Sequence, residues 1–296
     1  MKYSIIIIVF IILNHVLFFT TKKFINFKSL IFNLILCIFY GLSITAGYHR
    51  LWTHGSYDTT KFIKYIYMLI ASGTCQGSIK DWTSDHKMHH KYEDIKSEYD
   101  PYSIKKGFFW AHMGWLFFNK SEEYNKEKQN ILNELKKQWN KDDINIIEFQ
   151  HKHYYKLMIL MAYIFPILVA KYLIKDTWKS SISSNFLRIL IAWHTTWCIN
   201  SVAHYIGDKP FVIEHTSRQN HLCSLITMGE GYHNYHHAFP KDYRASQDLK
   251  CINFTGWFIR CLYMLGLSIN LKYVEKNNQI TRKTISQNIN YKIIKL

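Results

Sequence analysis

The sequence predicts an all-α integral membrane protein: four transmembrane helices as two hairpins, with a helical cytoplasmic cap holding a histidine-rich dimetal site. Three observations predict it. Apolar runs come in two pairs, Ser4–Thr20 with Phe24–Ala46 and Leu157–Ile174 with Phe186–Tyr205. Each pair is followed by a long charged region. Nine of the chain's 16 histidines fall in four tight groups inside or beside those regions.

Ser4–Thr20 carries no charge and is close to the length that spans a bilayer. A signal peptide is the competing reading. The lone Lys2 and the lack of a small-residue cleavage site after Phe19 weaken it. Thr21–Ile25 form a short turn, and the second run carries only Lys28 near its start. From Tyr48 to His153 the character changes to mixed charge and aromatics. Its short apolar stretches, Phe62–Ala71 and Gly107–Phe118, suit interfacial or core helices. Ser121–Phe149 has a charged helical pattern and is expected to face solvent. The third run ends near Lys171, and the fourth has Arg188 near its start. Asp208–Leu222 is polar, Cys251–Leu271 is an interrupted apolar stretch, and Lys272–Leu296 is a basic, Asn-rich tail expected to be mobile. The segments are therefore 1–47 (first hairpin), 48–153 (cap with two His groups), 154–205 (second hairpin), 206–271 (cap with the last His group) and 272–296 (tail), forming one functional domain.

Four spans put both large polar regions and both termini on one side. That side is assigned to the cytoplasm, although Lys22 and Lys23 sit in the opposite, short loop. Bulk composition is silent on the membrane: hydrophobic residues are 48% and mean hydropathy is -0.14. Lys and Arg number 37 against 21 Asp and Glu, a formal charge of +16. That surplus suits an anionic leaflet or a phosphate-bearing substrate, and no nucleic-acid motif accompanies it. Six scattered cysteines without a C-x-x-C argue against a zinc ribbon, a redox dithiol or a disulfide framework. They are expected to be small, reduced hydrophobes.

The histidine groups are His49-x4-His54, His86-x2-His89-His90, Asn200-x3-His204 and His233-x2-His236-His237. At this histidine content one H-x-x-H-H arises by chance about 0.05 times per chain, and two copies roughly once in a thousand chains. On a helix, residues three and four apart share a face. His49 and His54, five apart, lie ~140° around an ideal helix. They need local unwinding, or they serve different ions. Nine imidazoles exceed what one zinc takes and suit two ions of four or five nitrogens each. Imidazole accepts Fe, Zn, Cu and Ni alike. A ferritin-like site, built on Glu-x-x-His pairs, is set aside although Glu230 lies near the fourth group.

The segments TAGYHRLWTH (45–54), DHKMHHKYED (85–94), NSVAHYIG (200–207) and GEGYHNYHHAFP (229–240) closely resemble membrane fatty acyl-CoA desaturases of the stearoyl-CoA Δ9 type. GFFWAHMGW (107–115) and INFTGWFI (252–259) match as well, and the resemblance covers roughly residues 30–270. It implies a di-iron centre held by His49, His54, His86, His89, His90, His204, His233, His236 and His237, with Asn200 reaching one iron through water. No separate acid or base is implied. The remaining histidines, at 15, 112, 151, 153, 194, 215 and 221, match no ligand position and are expected to be structural.

The resemblance also implies O2-dependent introduction of a cis double bond at carbon 9 of a saturated C16–C18 acyl-CoA, in unsaturated fatty acid biosynthesis. Trp82 and Trp197 match tunnel-lining residues, and Gln76 and Thr196 match neighbours of the tunnel's bend. Cys37 and Gly41, one turn apart, fall at its end, where the small Gly41 would admit C18 chains. Asp85 is kept at the CoA end. Ser84 and Gly77 depart from the family's usual Arg and Asn, so Lys80, Lys87 or Arg218 are the candidate contacts there. With no His-Pro-Gly-Gly heme motif, electrons are expected from separate cytochrome b5 and its NADH reductase, at the endoplasmic reticulum membrane. The competing functions are an acyl-lipid or sphingolipid desaturase or hydroxylase on the same scaffold, and a non-catalytic metal-binding or transport membrane protein. A transporter would place histidines along its spans.

Overall fold

The computed structural model describes residues 3–276 and 292–294. α1 (Ile5–Thr21) turns through a single 3-10 turn, Lys22–Phe24, into α2 (Phe27–Leu42). Two apolar helices joined by a short turn thus stand where the first hairpin was expected. α2 does not stop at residue 42. It widens into a π-helix, Ser43–Thr53, every residue of which is buried. α3 (Lys61–Ser72) and α4 (Ile79–Tyr92) follow, started by Thr60 and Ser78 accepting backbone N–H bonds from Ile63 and Asp81. The stretch around 107–118 is not one helix. It breaks into α5 (Phe108–His112) and a 3-10 turn, Gly114–Phe117, after Gly107 at φ 105.

The charged segment 121–149 also differs from expectation. It is split at Trp139–Asn140 into α6 (Glu122–Gln138) and α7 (Lys141–Ile159). Asn140 opens α7 with a reciprocal capping box to Asp143, which ends one helix and begins another. Neither helix is simply solvent-facing: Tyr124, Ile131, Leu132 and Leu135 of α6 and Ile146 and Ile147 of α7 are buried. α7 then runs on through π-helical Leu160–Ile164, α8 (Phe165–Leu168) and π-helical Val169–Leu173. The third apolar run is thus the far half of a 33-residue helix rather than a separate element.

α9 (Trp178–Tyr205) has 28 residues. Among the described residues three helical stretches, Ile5–Phe24, Phe27–Thr53 and Lys141–Leu173, are long and apolar enough to cross a membrane. α9, the expected fourth span, falls short on composition. Its N-terminal half is loaded with buried Ser180, Ser181, Ser183, Ser184, Asn185 and Arg188. Their partners explain why they are tolerated. Ser180 and Ser29 both donate to the Asp176 carboxylate, Asn33 donates to Ser184 at 2.9 Å, and Arg188 donates to the carbonyls of Ala162 and Gly73. This polar seam fixes α9 against α2 and the α7 continuation.

α10 (His221–Ile226), α11 (His233–Ala238) and α12 (Phe254–Met264) follow. The strands are minimal: β1 (Asp58–Thr59) pairs antiparallel with β2 (Ser268–Ile269), and β3 (Leu271–Tyr273) with β4 (Lys292–Ile294). The start of the basic tail is therefore ordered, with Lys272 Nζ donating to the Gly55 carbonyl. Most of the tail lies outside the described residues. The main core packs the π-helix, α3, α4, α6, α7 and α12 around Tyr48, Trp52, Met68 and Met88. All six cysteines are free.

Candidate metal centre

Two groups of histidines form, and each draws on several elements. The first is His49, His54, His86, His90 and His236; the second is His89, His204, His233 and His237. α4 and α11 serve both groups by the same device. In each H-x-x-H-H the i and i+4 rings join one group and the i+3 ring joins the other. α4 sends His86 and His90 to the first and His89 to the second, and α11 sends His233 and His237 to the second and His236 to the first. The shared helix face expected from the spacing is thus divided between two adjoining sites. They touch where His90 and His237 stack, ring centroids 4.1 Å apart.

The His49/His54 spacing is resolved by the π-helix. Its turn closes on the fifth residue, so His54 N–H bonds the His49 carbonyl at 3.2 Å and the rings come within 4.9 Å. Both rings therefore enter one group.

The donor set fits a metal ion. Nε2 atoms meet in pairs: His49 with His236 at 2.9 Å, His236 with His90 at 3.0 Å, His90 with His86 at 3.2 Å, and His237 with His233 at 3.0 Å. Nitrogens bound ~2.0–2.1 Å from one ion at tetrahedral to right-angle geometry would stand about 2.9–3.4 Å apart. Both ring nitrogens of His54, and Nε2 of His89 and His204, are buried without any hydrogen-bond partner. Such orphans are costly unless something else satisfies them.

Buried carboxylates orient the rings from behind. Asp100 Oδ1 lies 2.9 Å from His89 Nδ1, and Glu230 Oε2 lies 3.0 Å from His49 Nδ1. Glu93, the residue that ends α4, contacts Nδ1 of His237 and lies 3.4 Å from Nδ1 of His204. A carboxylate on Nδ1–H fixes the tautomer that offers Nε2 to a metal. Glu230 is in turn neutralised by Arg50, whose Nη2 donates to it at 2.7 Å. Glu230 stands three residues before His233, the spacing of a ferritin-type ligand pair, but it faces Arg50 and His49 instead.

Burial first, and then the neighbouring imidazoles, hold His54, His86, His90, His233 and His236 well below the usual histidine range. They are neutral, as ligation requires. His89 is the exception: burial would lower it, but Asp100 raises it on balance. Glu230 is held down to about 2, since Arg50 and His49 outweigh the upward push of burial.

All nine expected ligands are thus brought together. Asn200 lies half-buried on α9, one turn before His204. Of the other expected site residues, Trp82 stacks on His86 at 4.9 Å. Gln76 donates to Thr196 at 3.1 Å. Trp197 is buried on α9 against His194 and His112. Asp85 accepts from Tyr124 at 2.7 Å and pairs with Lys128 at 2.7 Å. Cys37 lies on α2 with its thiol toward the Arg188 carbonyl, and Gly41 lies against Met228. Lys80 pairs with Glu148, and Arg218 donates to the Gly207 carbonyl. Sequence reasoning missed Glu93, Asp100 and His215, the last of which lies 3.2 Å from Glu93. Glu93 carried a signal, since it stands inside the second histidine segment.

The fold and site define a helical protein with membrane-length apolar helices and two adjoining, buried, histidine-rich groups able to hold metal ions. Residues 29–246 match the fatty acid desaturase family, and the chain belongs to it. It is 38% identical over 237 residues to Acyl-CoA desaturase 1 of Saccharomyces cerevisiae, covering 80% of this chain and 44% of that protein. It is 35% identical over 256 residues to Delta(9)-fatty-acid desaturase fat-7 of Caenorhabditis elegans, covering 84% and 72%. It is 36% identical over 252 residues to Stearoyl-CoA desaturase of Homo sapiens, covering 85% and 68%. The chain spans about half the length of the yeast relatives it matches.

Proposed function

We propose that the chain is a stearoyl-CoA 9-desaturase, introducing a cis double bond at carbon 9 of a saturated C16–C18 acyl-CoA with O2 as co-substrate. One observation carries this reading: nine histidines, eight of them buried, arranged as two adjoining groups of five and four, in a chain related to proteins named for that reaction. In the balance, O2 takes two hydrogens from adjacent methylenes, plus two electrons and two protons from outside, and leaves as two waters. Two Fe2+ ions would be held by the five- and four-histidine groups, with Asn200 reaching one through water, and would supply the O2-reducing chemistry.

The chain's own residues do the rest. Glu230, Asp100 and Glu93 keep Nδ1–H of their histidines occupied, so Nε2 lone pairs converge on the ions. Neighbouring methylenes are chemically near-identical, so the bond's position must come from how the alkyl chain is held. Trp82, packed on His86, would wall the chain beside the first ion. The Gln76–Thr196 hydrogen bond, from one element to α9, would fix the bend, with Trp197 beside it. Cys37 and Gly41 would close the far end. Asp85, Lys87 and Arg218 would face the CoA end. The protein would sit in the endoplasmic reticulum membrane as four spans in two hairpins, α9 being the fourth. Its centre and both termini would be cytoplasmic, and cytochrome b5 with its NADH reductase would supply electrons.

Expression in yeast lacking its own Δ9 desaturase, with double bonds located by GC–MS, tests this. New Δ9 C16:1 or C18:1 that disappears in His89→Ala is the expected result. A hydroxylated product, or a desaturated complex lipid without a Δ9 acyl-CoA product, would overturn it in favour of a hydroxylase or acyl-lipid desaturase.

A further inference from the structure

The two histidine groups differ in how an ion could reach them. In the first, His90 is only half-buried, so one ligand already meets the outside. In the second, every ring is sealed: His89 is 2%, His204 3%, His233 2% and His237 8% exposed. An ion cannot dock on any of them from solvent without passing another group first.

A third set of metal-type donors lies on the outer side of the second group and shares His237 with it. Glu93, His215 and His237 have donor atoms within 4.8 Å of one another. Their exposure is graded. The His215 side chain is 32% exposed, whereas the Glu93 and His237 side chains are each 1% exposed. Glu93 Oε2 and His215 Nδ1 face each other at 3.2 Å without the alignment of a hydrogen bond, and both atoms are buried. The other carboxylate oxygen is engaged: Glu93 Oε1 accepts from the Ser217 backbone N–H at 3.1 Å. Asp94 adds a second carboxylate beside the same loop, accepting from Thr216 N–H at 2.5 Å. A carboxylate oxygen with imidazole nitrogens is a donor set that takes Fe2+, Co2+ or Zn2+.

We propose that Glu93 and His215, with His237 behind them, are the port through which a divalent cation enters the second histidine group. The ion is first held by the His215 imidazole and by Glu93 Oε2, which also contacts His237 Nδ1 and has a second lone pair to offer, and passes inward to the Nε2 face of His237, His204, His233 and His89. No electron changes hands, and each ligand exchange replaces a water or port donor with an inner imidazole. His215 is then a loading residue rather than a resident ligand. This rests on the two histidine groups being the metal sites, and the test separates the two ideas.

The full chain, purified in detergent and stripped with a chelator, is mixed with Co2+. Uptake is followed by ligand-field absorption, and bound metal is counted by ICP–MS after desalting. Wild type should fill in two phases and end at about two ions per chain. His215→Ala should end at the same count with its slower phase retarded by at least about tenfold, the scale on which outer-shell changes act on metal sites. His215→Gln, which keeps bulk but ligates poorly, should behave alike, and His221→Ala, an exposed histidine away from the port, should match wild type. An unchanged slow phase in both His215 variants overturns the port. So does an endpoint of one ion, which would make His215 a resident ligand. A wild-type chain that takes up no Co2+ overturns the metal-centre assignment itself, and the port with it.

Discussion

His54 donates its backbone N–H to the carbonyl of His49, five residues back, at 3.2 Å. That single bond reconciles a spacing that an ordinary helix cannot use. It places both rings in the five-histidine group, where His54 keeps two buried, unpartnered nitrogens. His54→Ala should therefore lower bound metal from about two ions per chain to about one, with the four-histidine group still filled. Metal analysis of purified protein checks this, with His153→Ala, outside both histidine groups, as the control. Equal metal in wild type and His54→Ala would exclude His54 as a ligand.

Asp100 acts one step out. It accepts from Nδ1 of His89 and is itself bonded by the Tyr102 backbone N–H. Asp100→Asn keeps the volume but removes the charge that fixes the ring. Loss of such a partner weakens metal affinity 10–100-fold in general, and the same loss is expected here for one ion of the two. Competition titration with a coloured chelator would register it. Asp100→Glu should recover part of the affinity, which a purely structural role would not predict.

How much of this the sequence disclosed depends on how local each feature is. The nine candidate ligands were legible because i, i+3 and i+4 repeats are local, and two copies of H-x-x-H-H are far beyond chance. Their division into five and four was not, because it depends on how α4 and α11 face each other although 140 residues of sequence lie between them. The partner carboxylates were invisible for a similar reason: Glu230 meets His49 from a distant part of the sequence, and a buried Glu looks in sequence like any surface one. The turn at Trp139–Asn140 was missed because charge continues on both sides of it, and only the Asn140 cap marks the break. The fourth apolar run misled in the opposite direction, since its flanking Ser, Asn and Arg are buried in a polar seam rather than exposed.

Lys120 offers a pH test away from the centre. Its ammonium donates to the Trp115 carbonyl at 3.3 Å and lies over the Trp115 and Tyr124 rings. Burial pushes it down from 10.5 to about 8, with Asp85 opposing and Lys106 and Lys128 assisting. The folded state thus prefers the neutral amine. Below pH 8 the group is charged in both states and its burial cost is present in full. Between pH 8 and 10.5 the folded protein releases a proton that the unfolded chain still holds, so stability rises with pH, by up to about 3 kcal/mol. Lys120→Met should remove this rise and be more stable at neutral pH. Competitive acetylation of Lys120 across pH 7–11 checks the midpoint directly, and a midpoint near 10.5 would refute it.

Gly41 tests the far end of the proposed acyl channel. A Cβ built there would meet Met228 Cε at 2.8 Å and Sδ at 2.9 Å. The space beside Gly41 is therefore already filled, but by the flexible end of a side chain that can yield. Gly41→Leu must displace it, at a cost of about 1–3 kcal/mol for overpacking. If this turn of α2 closes the channel, the displaced bulk moves toward the chain's methyl end, and the C18:1 to C16:1 ratio should fall several-fold. Met228→Ala on the same background gives the leucine room, so the double variant should regain both stability and ratio. Their coupling should reach at least ~0.5 kcal/mol, because the two groups are in contact. Thermal unfolding and GC–MS of the same three proteins separate the possibilities. A recovered stability with an unchanged product ratio throughout would mean that Gly41 packs α2 against Met228 and takes no part in measuring the acyl chain.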